Sequence, residues 1–329
     1  MKRLLIAIAA ILPIANLAAE PIDVEIKVEK THIDFVAGPH LITRYHIGEN
    51  VAKPYFWPVN APGDVPVTRS WPMKTGDPKQ TTDHVHQKSL WFCHGDVIPE
   101  GVTIVHSKDK NVKGVDFWSE GQGHGVIVCV EVGKPANGSI TTRNEWRDAA
   151  GTKILDETRT ISMHRVAGGW LLTLECDLRA SVCPLTFGDT KEGSMGSRVN
   201  DQIRLTAKGE HSQLVNAEGK SGEKEVWGML SDWCDYSGVI NGKLAGIAIF
   251  DDPKNEPRAA WHSRGYGLMA ANPFGRAGSG FPARKGDKDL KKIAKGEHLK
   301  LRYGVFLHAG DAKDGKVAEA FAAFAGSKR

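Results

Sequence analysis

The sequence predicts an all-β protein, a large β-sandwich with a short helix at its C-terminus. Apolar and polar residues alternate with a period of two along most of the chain, which is typical of half-buried strands. Glycine supplies 36 of the 329 residues and separates the alternating runs, as it does in the turns of β proteins. Helical spacing of apolar residues occurs convincingly only near the C-terminus.

The N-terminus is predicted to be a secretory signal peptide. Lys2 and Arg3 precede an apolar run over residues 4–14, and small residues follow that run. The run is too short to cross a bilayer as a helix, although an uncleaved membrane anchor is the alternative. We therefore expect cleavage at the end of residues 1–19 and a periplasmic or secreted protein.

The rest of the chain, residues 20–329, is predicted to be a single domain, because no repeat or low-complexity linker divides it. Two packed β domains divided near residues 190–220 are the alternative. The 43 basic and 39 acidic residues leave a net charge of +4, which is too balanced to indicate a nucleic-acid partner. No later segment is long and apolar enough to predict a membrane span.

The alternating runs predict the strands one by one. They lie, in chain order, at residues 22–28, 102–105, 125–132, 138–146, 154–163, 170–178, 244–250 and 299–307. A hairpin turn is predicted at residues 166–169, and residues 275–288 are predicted to be an exposed loop. Val317, Phe321 and Phe324 are spaced as on one face of a helix, which Gly326 is expected to end.

The five cysteines are Cys93, Cys129, Cys176, Cys183 and Cys234. Their odd number leaves at least one without a partner in the chain. Cys176 and Cys183 are spaced to close a hairpin-sized loop by a disulfide, and buried free thiols are the alternative. No two cysteines are separated by two residues, so nothing supports a zinc ribbon or a thioredoxin-like site.

The densest run of polar and aromatic residues is 83–96. In a strand, His84 and His86 would point to the same face. Two such imidazoles can serve as acid and base or hold a metal ion, and a structural, hydrogen-bonded pair is the alternative. Trp91 and His94 favour a sugar site, because an aromatic platform beside polar groups suits a sugar ring. Core packing is the alternative for Trp91.

A second polar segment lies at residues 187–193 between two glycines. Asp189 and Glu192 are a candidate acid/base or nucleophile pair. Lys191 and Arg198 would lower the pKa of a carboxyl group or bind an anionic group. The alternative is a solvated turn with surface ion pairs.

A third group of candidates comes from the later motifs. His262 and Arg264 are two residues apart and share a face if the chain is extended, and Tyr266 would continue that face. Such a row is typical of a polar binding wall, although a surface stripe would look the same. Asp235 and Asn272 lie in neighbouring motifs and are further candidate binding residues.

The motifs occur in an order that resembles a bacterial family labelled methane oxygenase PmoA. They are Tyr55-Phe-Trp-Pro58, Thr68-Arg69, Asp83-His-Val-His-Gln87, Leu90-Trp91, His94-Gly-Asp96, Asp116-Phe-Trp118, Phe187-Gly-Asp-Thr-Lys-Glu-Gly193, Asp235-Tyr-Ser-Gly238, Trp261-His262, Tyr266-Gly267 and Ala271-Asn-Pro-Phe-Gly275. The resemblance covers about residues 40–310, with a longer segment at 98–115 than expected. It implies a secreted sandwich of the galactose-mutarotase-like supersandwich type, with its site on the concave face. It assigns no catalytic residue.

Together these observations predict a secreted carbohydrate-active hydrolase, lyase or epimerase that acts on a glycoside or modified sugar by general acid/base catalysis. The candidate catalytic residues are His84, His86, Asp189, Glu192 and His262. The candidate substrate-binding residues are Arg69, Trp91, His94, Lys191, Arg198, Asp235, Arg264, Tyr266 and Asn272. One alternative is a non-catalytic carbohydrate-binding protein. The other is a metal-dependent oxygenase in which His84 and His86 bind a divalent metal, the one cofactor considered.

Overall fold

The computed structural model describes residues 24–166 and 168–327, so the predicted signal peptide lies outside the described residues. Within these ranges the chain forms twenty β-strands and two α-helices. The first ten strands are β1 (Val24–Val28), β2 (His32–Ala37), β3 (His40–His46), β4 (Tyr55–Ala61), β5 (Val65–Pro66), β6 (Leu90–His94), β7 (Val97–Pro99), β8 (Val126–Val132), β9 (Ser139–Arg147) and β10 (Lys153–Val166). The other ten are β11 (Gly169–Arg179), β12 (Leu185–Phe187), β13 (Gly193–Arg198), β14 (Gln213–Asn216), β15 (Trp233–Ile240), β16 (Lys243–Asp251), β17 (Ala260–Arg264), β18 (Leu268–Asn272), β19 (Lys291–Ile293) and β20 (His298–Ala309). The helices are α1 (Glu223–Val226) and α2 (Val317–Gly326).

The described strands form two large antiparallel sheets and one small sheet. The nine-stranded sheet has the order β1-β2-β3-β4-β6-β13-β18-β17, with β5 paired to β4. The eight-stranded sheet has the order β14-β15-β16-β20-β11-β10-β9-β8, and the small sheet has the order β19-β12-β7. Because β20 pairs with β11 and β13 joins β6 to β18, each large sheet combines early and late parts of the chain.

Aromatic side chains fill the space between the two large sheets. The ring of Phe92 on β6 lies 6.2 Å from that of Trp146 on β9 and 6.0 Å from that of Tyr303 on β20. All three side chains are almost completely buried. Burial of apolar area on this scale is the main force that holds the two sheets together.

One charged pair is buried inside this core. Arg159 donates to the two carboxylate oxygens of Glu157 from Nε (2.7 Å) and Nη2 (2.9 Å). The same guanidinium donates to the hydroxyl of Tyr45 on the opposite sheet (2.8 Å). The Glu157 carboxylate also accepts from Trp146 Nε1 (2.8 Å) and Asn144 Nδ2 (3.3 Å). The pair therefore links the two sheets with its polar atoms satisfied.

The prediction of an all-β protein with a short C-terminal helix is confirmed. The hairpin between β10 and β11 is also present, with Val166 paired to Gly169. The strand predicted at residues 102–105 is wrong, because this segment joins no sheet. Its Val105 backbone N–H is satisfied by the Asp148 carboxylate instead (3.0 Å). The five cysteines are free thiols.

Candidate functional site

The candidate site lies on the outer face of the nine-stranded sheet, the face turned away from the other large sheet. Because Phe92 points into the core, its neighbour Trp91 on β6 points outward. The register continues this face across β13 and β18 to β17, where Gly196, Ala270 and His262 lie in one row. A Cβ atom on Gly196 would lie 2.9 Å from the Trp91 ring, so only glycine leaves room for that ring.

Two buried arginines hold the loop that precedes β6. Arg69 donates to the backbone oxygens of Asp83 (2.9 Å) and His84 (3.1 Å). Arg198, on β13, donates to Gln87 Oε1 (2.6 Å) and to Asp83 Oδ1 (2.7 Å). Both guanidinium groups are therefore taken up by the loop, and their role is to position it. The sequence had suggested that they contact substrate.

His84 and His86 lie in a turn and not on a strand, so the strand placement was wrong. His84 has a left-handed φ of 49°, and the Gln87 backbone N–H donates to its carbonyl oxygen (2.9 Å). The turn forms because Arg69 draws the backbone oxygens of this loop inward. The two rings still meet edge to face, with their centroids 5.7 Å apart.

The His84 ring is held between a carboxylate and a tyrosine. Its Nδ1 lies 2.5 Å from Asp83 Oδ2, and the ring stacks on Tyr266 with a centroid distance of 5.1 Å. Partial burial raises the pKa of Asp83, but the hydrogen bond from His84 and the charges of Arg198 and Arg69 hold it well below its usual value. Asp83 is therefore a permanent anion beside an exposed imidazole.

His86 is a neutral imidazole beside Trp118, with the ring centroids 6.5 Å apart. Burial and the positive charge of Lys53 lower its pKa to about 3. Lys53 is itself buried and donates to the Trp118 backbone oxygen (2.7 Å) and to Glu120 (3.1 Å). Lys88 donates to the other Glu120 oxygen (2.5 Å).

Sequence reasoning missed this cluster of Lys53, Lys88 and Glu120. Lys88 falls within the polar segment 83–96, and Glu120 follows the Trp118 motif by two residues, so both offered a weak signal. Lys53 offered none, because a lysine ahead of a strand is ordinarily exposed.

Glu192 is an acid of the site whose pKa is raised instead of lowered. Its backbone oxygen accepts from the Gly95 N–H (2.7 Å), and its backbone N–H donates to Thr190 Oγ1 (3.1 Å), which fixes the turn before β13. Its carboxyl group accepts no hydrogen bond from the described residues. Burial raises the pKa of Glu192 to about 7, with Asp116 adding to the rise and Lys191 opposing it.

His262 lies on β17 and is 2% exposed. Burial lowers its pKa to about 3, and the charges of Lys191 and Arg264 lower it further. A hydrogen bond with the Lys191 backbone acts in the opposite direction. Its Nδ1 is buried with no hydrogen-bond partner among the described residues. His262 is thus a neutral group with an unused polar atom.

Mutual electrostatic effects indicate that these groups lie close to one another. The charge of His84 acts on both His86 and His262, and the charge of Glu192 acts on Tyr266, the residue on which His84 stacks. The predicted site residues that the structure brings together are His84, His86, Lys191, Glu192, His262, Arg264 and Tyr266. We refer to this set as the outer-face site.

The Asp189 carboxylate, predicted as the partner of Glu192, binds the backbone of a different loop. It accepts hydrogen bonds from the backbone N–H groups of Arg276 (2.6 Å), Gly278 (2.6 Å) and Ser279 (3.0 Å), and from the Ser279 hydroxyl. These bonds anchor residues 275–288, which had been predicted to be simply an exposed loop. The Asp189 carboxylate has little capacity left for a substrate.

Three further candidates, His94, Asn272 and Trp91, are buried beside the site. His94 is buried and donates from Nε2 to the Gly188 backbone oxygen (3.0 Å). Asn272 donates to the Thr190 backbone oxygen (2.9 Å), so both side chains fix the loop before β13. Trp91 is fully buried, and its ring packs against that of Trp118 with a centroid distance of 5.1 Å, so it is a core residue and not a platform for a sugar.

Asp235 lies away from the outer-face site, on β15 of the eight-stranded sheet. It accepts a hydrogen bond from the Ser237 hydroxyl (2.9 Å) and lies 2.7 Å from Nε2 of His308. All three side chains are buried, which is typical of a structural polar cluster.

The metal hypothesis required His84, His86 and a third ligand. Among residues 24–166 and 168–327, no three His, Cys, Asp or Glu side chains are placed to hold a metal ion. The Nδ1 atom of His84 is already engaged by Asp83. Over the same part of the chain, no helix is long and apolar enough to cross a membrane.

Comparison with known families shows the family to which the chain belongs. Residues 32–322 match the family described as "Family of unknown function (DUF6807)", and the chain belongs to this family. The match overturns the predicted membership of the methane oxygenase PmoA family. No curated protein matches the sequence.

Several solved structures are similar to the chain at low sequence identity. A polysaccharide lyase has 13% identity and a TM-score of 0.39, and the match covers 92% of this chain and 34% of that one. An alpha-galactosidase from Lactobacillus brevis has 8% identity and a TM-score of 0.42, with 88% and 40% covered. A galactose mutarotase-like protein from Lactobacillus casei has 11% identity and a TM-score of 0.36, with 87% and 100% covered. The chain thus spans well under half of the first two proteins.

Proposed function

We propose that this member of the DUF6807 family is a carbohydrate-active enzyme that works by general acid/base catalysis at the outer-face site. The observation that carries the proposal is the pKa of about 7 of the half-buried Glu192 carboxyl group, which lies close to several imidazoles. Titratable groups whose pKa values are strongly shifted by burial cluster at active sites.

Glu192 is proposed as the group that donates a proton to the sugar. A catalytic acid is most effective when its pKa lies near the working pH, because it is then both protonated and ready to release the proton. A carboxyl group with its usual pKa of 4.5 would be ionised at neutral pH, whereas Glu192 is about half protonated there. Its unpaired oxygens are free to meet a substrate oxygen.

The Asp83–His84 pair is proposed as the group that accepts a proton. With Nδ1–H donating to Asp83, the Nε2 atom of His84 is left with a free lone pair. The anionic Asp83 orients the ring and stabilises the imidazolium that forms when Nε2 takes a proton. The arginines that keep Asp83 ionised therefore act on catalysis through this pair.

His86 and His262 are proposed to bind sugar hydroxyl groups. Both are neutral at physiological pH. His86 therefore offers one donor and one acceptor nitrogen, whereas His262 already bonds to the Lys191 backbone and offers Nδ1 as an acceptor. Tyr266, which is half-buried, adds aromatic surface beside them, which suits the apolar face of a sugar ring. The predicted signal peptide supports a site of action in the periplasm or outside the cell.

Turnover of a panel of neutral and acidic oligosaccharides by wild type and by Glu192→Gln tests the proposal. The substitution keeps the shape of the side chain but removes its proton, so we expect kcat to fall by roughly 10²–10⁴-fold. The matched control is Glu131→Gln, because Glu131 is an exposed glutamate on β8 of the other sheet. Circular dichroism checks that both variants are folded.

The outcomes separate the proposed function from its alternative. Equal turnover by wild type and Glu192→Gln would remove Glu192 from the mechanism. Sugar binding without any product, in wild type as well as in the variant, would favour a non-catalytic carbohydrate-binding protein.

A further inference from the structure

We propose that the sugar is acidic, and that its carboxylate or sulfate group binds between Lys191 and Arg264 beside His262. This inference rests on the proposed function and names the substrate class of the same site. The Lys191 backbone makes a hydrogen bond with His262, and Arg264 lies two residues from His262 on β17, so the two cations flank the same residue.

Lys191 is an exposed cation with no acidic partner among the described residues. Its neighbour Glu192 does not neutralise it fully, because that carboxyl group is partly protonated near pH 7. Asp116 forms no ion pair with Lys191, since its Oδ1 accepts from the backbone N–H groups of Trp118 (2.7 Å) and Ser119 (3.1 Å) and its Oδ2 lies 3.5 Å from Nε2 of His124. A positive charge therefore remains at the mouth of the site.

Arg264 brings a second cation to the same place. It lies on β17 two residues from His262, and so on the same face of the strand. Its Nε lies 2.9 Å from Glu223 Oε1, while Glu223 Oε2 accepts from the Gly265 N–H (2.6 Å). No described residue engages the two terminal nitrogens of Arg264, which is one-third exposed. A planar guanidinium with free N–H groups is suited to carboxylate or sulfate oxygens.

The rest of the site argues for a sugar acid over a simple anion. His86 and His262 add no positive charge because they are neutral, so the site is not positively charged throughout, as a site for any small anion would be. Their ring nitrogens suit hydroxyl groups, and Nδ1 of His262 is without a partner. One localised positive region next to neutral hydrogen-bonding groups matches a ring that carries one anionic group and several hydroxyls.

Binding measurements on matched pairs of sugars test the inference. Trisaccharides of galacturonate and of glucuronate are compared with their methyl esters, which differ only in charge, and 6-sulfated galactose oligosaccharides are compared with unsulfated ones. Isothermal titration calorimetry is done at pH 7 with wild type, Lys191→Met and the control Lys27→Met. Lys27 is an exposed lysine on β1, at the opposite edge of the same sheet.

We expect at least one acidic sugar to bind wild type roughly tenfold or more tightly than its neutral partner, as for the loss of a hydrogen bond between charged groups. Lys191→Met is expected to remove most of this difference and to leave binding of the neutral partner unchanged. Lys27→Met is expected to behave as wild type. The arm that shows the preference identifies the anionic group as carboxylate or sulfate.

Two results would overturn the inference. If acidic and neutral partners bind equally, or if neutral sugars alone bind, the acidic-sugar inference fails while the proposed function stands. If no sugar of any kind binds, the inference and the proposed function fail together.

Discussion

Two glutamates, Glu157 and Glu192, show how differently this fold treats a carboxyl group that is withdrawn from solvent. Glu157 lies between the two large sheets and accepts hydrogen bonds from Arg159, Trp146 and Asn144. Glu192 lies on the outer face of one sheet, and its carboxyl group accepts none from the described residues. The first is a structural anion, whereas the second has a pKa of about 7.

The two side chains differ most in their hydrogen-bond partners, although Glu157 is also more deeply buried than Glu192. Removing a carboxylate from water is costly, and a guanidinium with further N–H donors offsets that cost. Without such partners, the side chain reduces the cost by holding a proton at higher pH. Glu157 therefore contributes to the cohesion of the fold, and Glu192 is available to exchange a proton with a ligand.

The largest expected effect on stability comes from breaking the satisfied pair. Arg159→Met leaves Glu157 buried without its cation, so we expect a loss of about 3–5 kcal/mol in the free energy of unfolding. Urea denaturation measures it. The double variant Arg159→Met/Glu157→Gln is the control and should recover part of the loss. A single variant as stable as wild type would contradict the structural role of the pair.

Because the Glu192 carboxyl group accepts no hydrogen bond from the described residues, we expect the stability of the protein to depend on pH. The pKa of Glu192 is raised in the folded state. Its contribution to the free energy of unfolding is therefore fully present below pH 4.5, the usual pKa of the group, and is lost as the pH rises through about 7. Over that range wild type should lose up to about 3 kcal/mol relative to Glu192→Gln. The lowered pKa values of His86 and His262 act in the opposite direction, but equally in both proteins.

Chemical denaturation of both proteins at several pH values between 4 and 8 measures this difference. The charges facing Glu192 are those of Lys191, Arg264, Asp116 and Asp109, and they are the same in both proteins. A stability difference that does not change with pH would show that Glu192 titrates as an ordinary surface carboxyl group.

A smaller effect is expected at Asp189, whose carboxylate is satisfied as that of Glu157 is. Asp189→Asn weakens its bonds to the backbone N–H groups of Arg276, Gly278 and Ser279, so we expect a loss of about 1–3 kcal/mol in the free energy of unfolding. Hydrogen exchange of these amides should accelerate more than that of β13. A fall in turnover as large as that of Glu192→Gln would instead place Asp189 among the catalytic groups.

The strand pattern was readable from the sequence because burial on one face imposes alternation. The alternation predicted most of β8 to β11, β16 and β20, and it also placed His262 and Arg264 on one face of β17. The segment 102–105 shows the same alternation, but Asp148 engages its backbone in place of a neighbouring strand. A local pattern carries no information about such a distant partner.

The types of residue that form the site could be predicted from the sequence more readily than the role of each residue. Asp189 and Glu192 are three residues apart and chemically alike, yet one is taken up by a distant loop and the other is left unpaired. Arg69 and Arg198 were predicted to bind substrate, but both bind the loop at Asp83, which is 14 residues from Arg69 and 115 from Arg198. Roles of this kind depend on long-range contacts.

The most direct test of the central claim is the pKa of the Glu192 carboxyl group itself. Its ¹³C resonance can be followed by NMR from pH 3 to pH 9 and assigned by its absence in Glu192→Gln. The account predicts a titration midpoint near 7 in the protein without ligand. A midpoint near the usual value of 4.5 would contradict it, because Glu192 would then be an ordinary carboxylate at neutral pH.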